Sequence, residues 1–230
     1  MTDYAIPIWT PPAAPVSGGG AFPVRHIYCV GRNYAAHARE MGTDPDREPP
    51  FFFTKAADSI VPGGGPVTYP PRTESLHHEV EMVVAIGGEA ADIGPDDARA
   101  AVFGYAVGID LTRRDLQQIA KDTRRPWDVG KSFAGAAPIG EIHPVAAVGH
   151  PRAGAIEFAV NGETRQRGDL AEMIWSVEEI IAELSTLYTL LPGDLIFTGT
   201  PSGVGPLQPG DRAVGRIEGV GALNIEITAR

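Results

Sequence analysis

The chain has 230 residues, and 49 of them are glycine (28) or proline (21), roughly 21% where about 12% is usual. Either residue inside a helix costs about 1 to 3 kcal/mol relative to alanine, so a helical bundle or coiled coil is excluded. An apolar share of 43% with no three-residue glycine period excludes disorder and collagen, and a net charge of −10 argues against a nucleic-acid or anionic-membrane binder, which needs a basic face.

What remains is one turn-rich domain with appendages, many strands and few helices. Cys29 stands alone, so no intrachain disulfide or thiolate metal cluster forms, and a reducing, cytoplasmic setting fits. No window approaches the about 18 apolar residues of a membrane span, and the N-terminus lacks a basic and apolar leader pattern.

In chain order, residues 1–21 read as a proline- and glycine-rich arm, on the surface or across a subunit partner, because four prolines and Gly18-Gly-Gly can neither continue a helix nor pair as an inner strand. Residues 22–65 read as a strand, helix and lid segment: a strand over 24–30, a turn at Gly31-Arg-Asn, a short helix over 34–41 closed by Gly42, and a polar lid or plain loop over 43–50. Residues 66–230 form a β-rich core. Strands are predicted over 67–69, 79–86 and 105–110, with a brief helix over 96–102. Thr112 and Asp115 pattern as a capping box that opens a helix running to about 123. A hairpin turns at Asn161-Gly162. The strongest helix spans 177–191 behind a Ser176/Glu179 capping box, and closing strands cover 195–198 and 220–228. Without regular βαβ alternation, the class is α+β.

Chemistry gathers at acids. Glu79 and Glu81 lie two apart in a strand and share a face with the apolar Val83 and Ala85, so the two carboxylates are either at a solvated edge or held by a cation. Asp110 ends another apolar strand. Three carboxylates without cysteine or a fixed imidazole pair make an all-oxygen set suited to Mg²⁺, Mn²⁺ or Ca²⁺. Only three lysines occur, Lys55, Lys121 and Lys131, and Lys131 is the candidate to bring such a site near neutrality. Its Gly-Lys-Ser setting lacks the upstream glycine of a phosphate loop, where Arg125 stands. His37 and Glu40, three apart on a helix, could pair as a base for water, or simply solvate the helix. The glycine-rich turn after Phe197 offers backbone N–H groups and the Thr200 hydroxyl to an anion, or is a plain turn.

Five ordered motifs carry a resemblance: Gly31-Arg-Asn-Tyr-Ala-Ala-His-Ala-Arg-Glu-Met, His78-Glu-Val-Glu-Met, Gly108-Ile-Asp-Leu-Thr-Arg-Arg-Asp-Leu-Gln, Gly130-Lys-Ser-Phe and Gly199-Thr-Pro-Ser-Gly-Val-Gly. From about residue 24 to the end, the chain resembles the fumarylacetoacetate hydrolase family, and the proline-rich start and the stretch from Asp46 resemble the branch acting on fumarylpyruvate. The resemblance implies an α+β fold built on a mixed β-sandwich roll and a homodimer. It implies a divalent metal, Mg²⁺ first, on Glu79, Glu81 and Asp110. His37 and Glu40 would activate water, Lys131 would assist an oxyanion or enolate, and Arg32, Arg114, Gln117 and Thr200 would contact a small dicarboxylate diketone. The implied reaction is C–C hydrolysis of an acylpyruvate, fumarylpyruvate to fumarate and pyruvate, in gentisate-type aromatic catabolism. Decarboxylation of oxaloacetate, general acylpyruvate hydrolysis and metal-stabilised anion binding without catalysis are the alternatives.

Overall fold

The computed structural model describes residues 4–36 and 49–230. Its centre is an eight-stranded mixed sheet whose main path runs Phe51–Lys55, Ile27–Gly31, Leu195–Phe197, Val80–Ile86, Val102–Ile109, Ala137–Ile139 and Ile60–Pro62, with His143–Pro144 added on Val102–Ile109. A five-stranded sheet (Glu163–Asp169, Ala155–Val160, Arg212–Ile217, Gly221–Thr228, Gly65–Thr68) packs on one face of it. A small sheet joins Thr112–Arg113, Leu76–His78 and Gly205–Leu207. Few, short helices border these layers, as the α+β roll requires.

The Val80–Ile86 strand shows why the central sequence reads as a continuous apolar run. Every residue in it is buried. Val80, Met82, Val84 and Ile86 enter the core shared with the five-stranded sheet, while Val83 and Ala85 enter a second core with Cys29, Ile27, Ala106 and Phe197. A strand covered on both faces has no polar alternation to display. Glu81 shares the face of Val83, so its carboxylate is buried and the solvated-edge reading is set aside.

Local signals survive unevenly. The hairpin turns at Asn161 (φ 53°) and Gly162 (φ 84°), both left-handed as its two-residue turn demands. The Ser176/Glu179 capping box closes in both directions. Its helix, however, is Val177–Leu187 and not 177–191, because Leu190 pairs with Ala90 through backbone bonds in both directions and draws the chain out straight. The Thr112/Asp115 capping box does not form. Thr112 is held in sheet register opposite His77, so Arg113 caps the helix Arg114–Asp122 without a side-chain bond. Asp115 instead accepts from the Thr73 hydroxyl and the Glu74 and Leu116 amides. The helix predicted over 96–102 is the helix Pro95–Ala98 and a 3₁₀ turn, Arg99–Ala101.

In the arm, Ala13–Pro15 pairs with Ala21–Pro23 in a two-stranded sheet, and the Pro15 carbonyl accepts from the Ile142 amide, which ties the arm to the body of the fold. Ala14 and Phe22 anchor it in the second core, while Tyr4, Ile6, Ile8 and Trp9 stay 60–75% exposed. Of the 34–41 helix only its first turn is described, and of the 43–50 segment only 49 and 50. No helix among the described residues is long and apolar enough to cross a membrane.

Gly108 lets the two core sheet strands close on Phe197, since a Cβ there would stand 2.4 Å from Val83 Cγ2 and 2.6 Å from the Phe197 ring. Gly108→Ala therefore lowers stability by about 1–3 kcal/mol through overpacking, read as a reduced urea midpoint at unchanged slope.

Candidate metal centre and cleft

The register of the central strands builds the site. Asp110 follows the strand Val102–Ile109, and its amide donates to the Glu79 carbonyl at 2.8 Å, while Glu81 lies opposite Gly108. Carboxylates from distant parts of the chain are thus fixed side by side. Oxygens of Glu79, Glu81 and Asp110 all lie within 4.8 Å of one another, and all three residues are buried.

Three cations answer them. Lys131 Nζ lies 2.8 Å from Glu79 Oε2 and 2.7 Å from Asp110 Oδ2. It ends the short helix Asp128–Lys131, which packs closely on the Arg114–Asp122 helix because Gly130 sits against the Gln117 backbone, where a Cβ would have 2.9 Å. Arg114 pairs with Glu79 Oε1 and donates to Gln117 Oε1. Lys55 Nζ is 2.8 Å from Asp110 Oδ1 and also donates to the Leu111 and Lys131 carbonyls. Lys55 was not singled out from sequence; the available signal was its rarity, as one of three lysines, at the end of an apolar strand. Lys131 meets the acids as expected, and among the described residues Lys55 and Arg114 join it, so three cations stand against the three carboxylates.

The balance is uneven in space. Burial works against the charge of Lys131, but Asp110 and Glu79 outweigh it and hold the ammonium above its ordinary pKa. Burial pushes the Glu81 carboxyl well above the usual carboxylate range. Asp110 and Glu79 push it further, against the Gly199 amide and Lys131. That amide, at 2.7 Å from Oε2, is the hydrogen bond that steadies Glu81. An all-oxygen donor set in which a buried carboxylate lacks a cation of its own among the described residues fits a hard divalent cation.

The glycine-rich turn serves this carboxylate. Gly199, at φ 98°, gives its N–H to Glu81, and a Cβ there would meet Asn33 Cβ at 2.7 Å. The anion held by the turn amide is thus the protein's own. Thr200 donates to the Val80 carbonyl and accepts from Gln166 Nε2. Gln166, from the five-stranded sheet, also bonds His78 Nδ1 and the Val80 amide, and was invisible to sequence reasoning because no motif surrounds it. Burial lowers the His78 pKa to about 4, so the imidazole is neutral near pH 7.

Glu79, Glu81, Arg114, Gln117, Lys131 and Thr200 line one cleft, together with Arg32, Phe51, Phe53, Lys121 and Trp127. His37 and Glu40 lie outside the described residues. A wider groove beside the Val177–Leu187 helix is separate, and its arginines, Arg99 and Arg152, are both spent on Glu178.

A family model described as fumarylacetoacetate hydrolase C-terminal matches residues 26–228. The chain is 46% identical over 189 residues to a fumarylpyruvate hydrolase of Ralstonia sp, covering 81% of this chain and 98% of that protein. It is 41% identical over 204 residues to a mitochondrial oxaloacetate tautomerase of Arabidopsis thaliana, covering 89% and 91%. The crystal structure of fumarylpyruvate hydrolase from Pseudomonas aeruginosa, in complex with Mn²⁺ and pyruvate, superposes with a TM-score of 0.96 at 48% identity, over 99% of this chain and 100% of that one.

Two stability measurements follow from the geometry. Lys55→Met leaves the buried Asp110 one counter-charge short and costs about 3–5 kcal/mol, most of which Asp110→Asn restores in the double variant, read by urea unfolding in chelator. Added Mn²⁺ raises the melting temperature of chelator-treated protein in a concentration-dependent way, and Glu81→Gln removes most of that rise.

Proposed function

We propose that this chain, which belongs to the fumarylacetoacetate hydrolase family, hydrolyses acylpyruvates, with fumarylpyruvate cleaved to fumarate and pyruvate. It is a hydrolase of carbon–carbon bonds that depends on a divalent metal, in line with the fumarylpyruvate hydrolase of Ralstonia sp and the Mn²⁺-bound enzyme of Pseudomonas aeruginosa. The observation that carries the substrate assignment is the charge count at the cleft floor. Among the described residues the three carboxylates face three cations, Lys55, Lys131 and Arg114, so a divalent metal would leave a double positive excess, which suits a substrate with two carboxylates.

Glu79, Glu81 and Asp110 would hold the metal, Mg²⁺ by preference. Bound there, it supplies a Lewis acid that polarises the diketone oxygens at the pyruvyl end. His37 with Glu40 would activate the water, which gives up a proton as its oxygen attacks the distal carbonyl carbon. The C–C bond to the methylene breaks, its electron pair passing to the pyruvate enolate, and a proton delivered to the methylene carbon completes pyruvate. Lys131 places its ammonium where the enolate charge develops, so its attraction is greatest in the transition state. Arg114 and Gln117, linked to each other, orient the pyruvyl carboxylate, and Thr200, fixed by Val80 and Gln166, borders it. Arg32 lies on the substrate's path from solvent. The cytoplasm, with its low-redox conditions, suits the lone buried Cys29, and the apolar side chains of the arm, Tyr4, Ile6, Ile8 and Trp9, support a homodimer.

A second reading, keto–enol exchange of oxaloacetate, is favoured by the tautomerase relatives of Arabidopsis thaliana and Escherichia coli. It uses the same cation-rich floor and no attacking water. The deciding assay follows fumarylpyruvate, acetylpyruvate and oxaloacetate with Mg²⁺ or Mn²⁺, and again after chelation. Hydrolysis predicts stoichiometric pyruvate and loss of the diketone absorbance, both abolished by chelator and reduced about 100-fold or more by His37→Ala. Loss of oxaloacetate enol absorbance with no pyruvate from either diketone would overturn it.

A further inference from the structure

We propose that Lys121 and Arg32 form a second anion subsite at the mouth of the cleft, which takes the carboxylate at the far end of the substrate and selects diketones carrying two carboxylates. The inference deepens the acylpyruvate reading and rests on it.

The helix Arg114–Asp122 presents Arg114, Gln117 and Lys121 at three- and four-residue steps, hence along one face, and all three line the cleft. Arg114 reaches the carboxylate floor through Glu79. Lys121 stands two turns further on, about 10 Å along the axis. The face therefore runs from the buried carboxylates to the half-buried Lys121, toward solvent.

There two cations are mounted on one aromatic pair. Lys121 Nζ lies 5.2 Å from the Trp127 ring centre and Arg32 Cζ lies 5.4 Å from that of Phe51, while the two rings meet edge to face at 5.3 Å. Arg32 is placed there by a turn at φ 59°, uncommon outside glycine, directly after the strand Ile27–Gly31. The inner cations are all committed to carboxylates, whereas among the described residues neither Lys121 nor Arg32 has an acidic partner. Burial lowers the Lys121 pKa, and the charges of Arg114 and Arg32 lower it further. Half-buried cations that repel one another and meet no acid among the described residues are arranged to receive an anion.

The chemistry of candidate substrates divides at this point. With its pyruvyl end on the floor, fumarylpyruvate carries a trans carboxylate out toward the mouth. Acetylpyruvate ends in a methyl group, and oxaloacetate is too short to reach both ends. A charge-assisted contact to the distal carboxylate is thus made by the first alone.

The test compares fumarylpyruvate with acetylpyruvate in the metal-loaded protein and its Lys121→Met and Arg32→Met variants. Methionine keeps an apolar stem on each ring and removes the charge. Each variant is expected to lower the ratio of kcat/KM for fumarylpyruvate over acetylpyruvate by about 10- to 100-fold, mainly through KM. A ratio within about threefold of wild type in both variants overturns the subsite, whatever happens to the absolute rates. If the wild-type protein cleaves neither diketone, the acylpyruvate reading fails, and the subsite is judged separately from calorimetric affinities for the same two compounds. Tighter binding of fumarylpyruvate that is lost in the variants supports it, and equal affinities in wild type overturn it.

Discussion

Everything in this molecule is arranged around the burial of three carboxylates against three cations. Unpaired, each such charge would be expelled from the interior or neutralised by a proton. Here Lys55 and Lys131 grip opposite oxygens of Asp110, Lys131 also grips Glu79, and Arg114 closes the other side of Glu79. The cluster can exist only because the backbone bond from Asp110 to Glu79 sets two strands in one register. The same cluster joins the Phe51–Lys55 strand, the Arg114–Asp122 helix and the short helix of Lys131, so the elements that carry the cleft walls are tied to its floor.

Close approach makes this possible, and glycine supplies it at a few points. Gly130 lets the helix of Lys131 lie on Gln117, and Gly199 turns a backbone amide onto Glu81 beside Asn33. The Asn33 side chain in turn holds the Thr198 carbonyl and both backbone groups of Trp175. The turn after Phe197 thus acts as scaffolding for an acid. A buried carboxylate whose main support is one amide is left in want of positive charge, which is the electrostatic condition for a metal centre.

From floor to mouth the cleft changes character. Paired charges lie deep, where desolvation would make a loose ion costly, and Lys121 and Arg32, which have no acidic partner among the described residues, stand half-buried on Trp127 and Phe51. Such a gradient draws a small polyanion inward and fixes which end arrives first.

Much of this was legible in the sequence. Period-two spacing put Glu79 and Glu81 on one face, the all-oxygen set with Asp110 indicated a hard cation, and capping signals located the Ser176 helix. Local patterns failed where a distant partner outbid them, as at Thr112, taken into a sheet by His77, and at Leu190, drawn out by Ala90. Lys55 and Gln166 carry no motif, since their roles are defined only by what lies across the fold from them. The sequence by itself determined the strand-rich class, the acids and the glycines that permit close packing, because those depend on residue type and short spacing. Only the tertiary structure decided which cation faces which acid, that the turn amide serves Glu81, and that Lys121 and Arg32 line the same cleft as the carboxylates, because electrostatic balance is summed over neighbours in space.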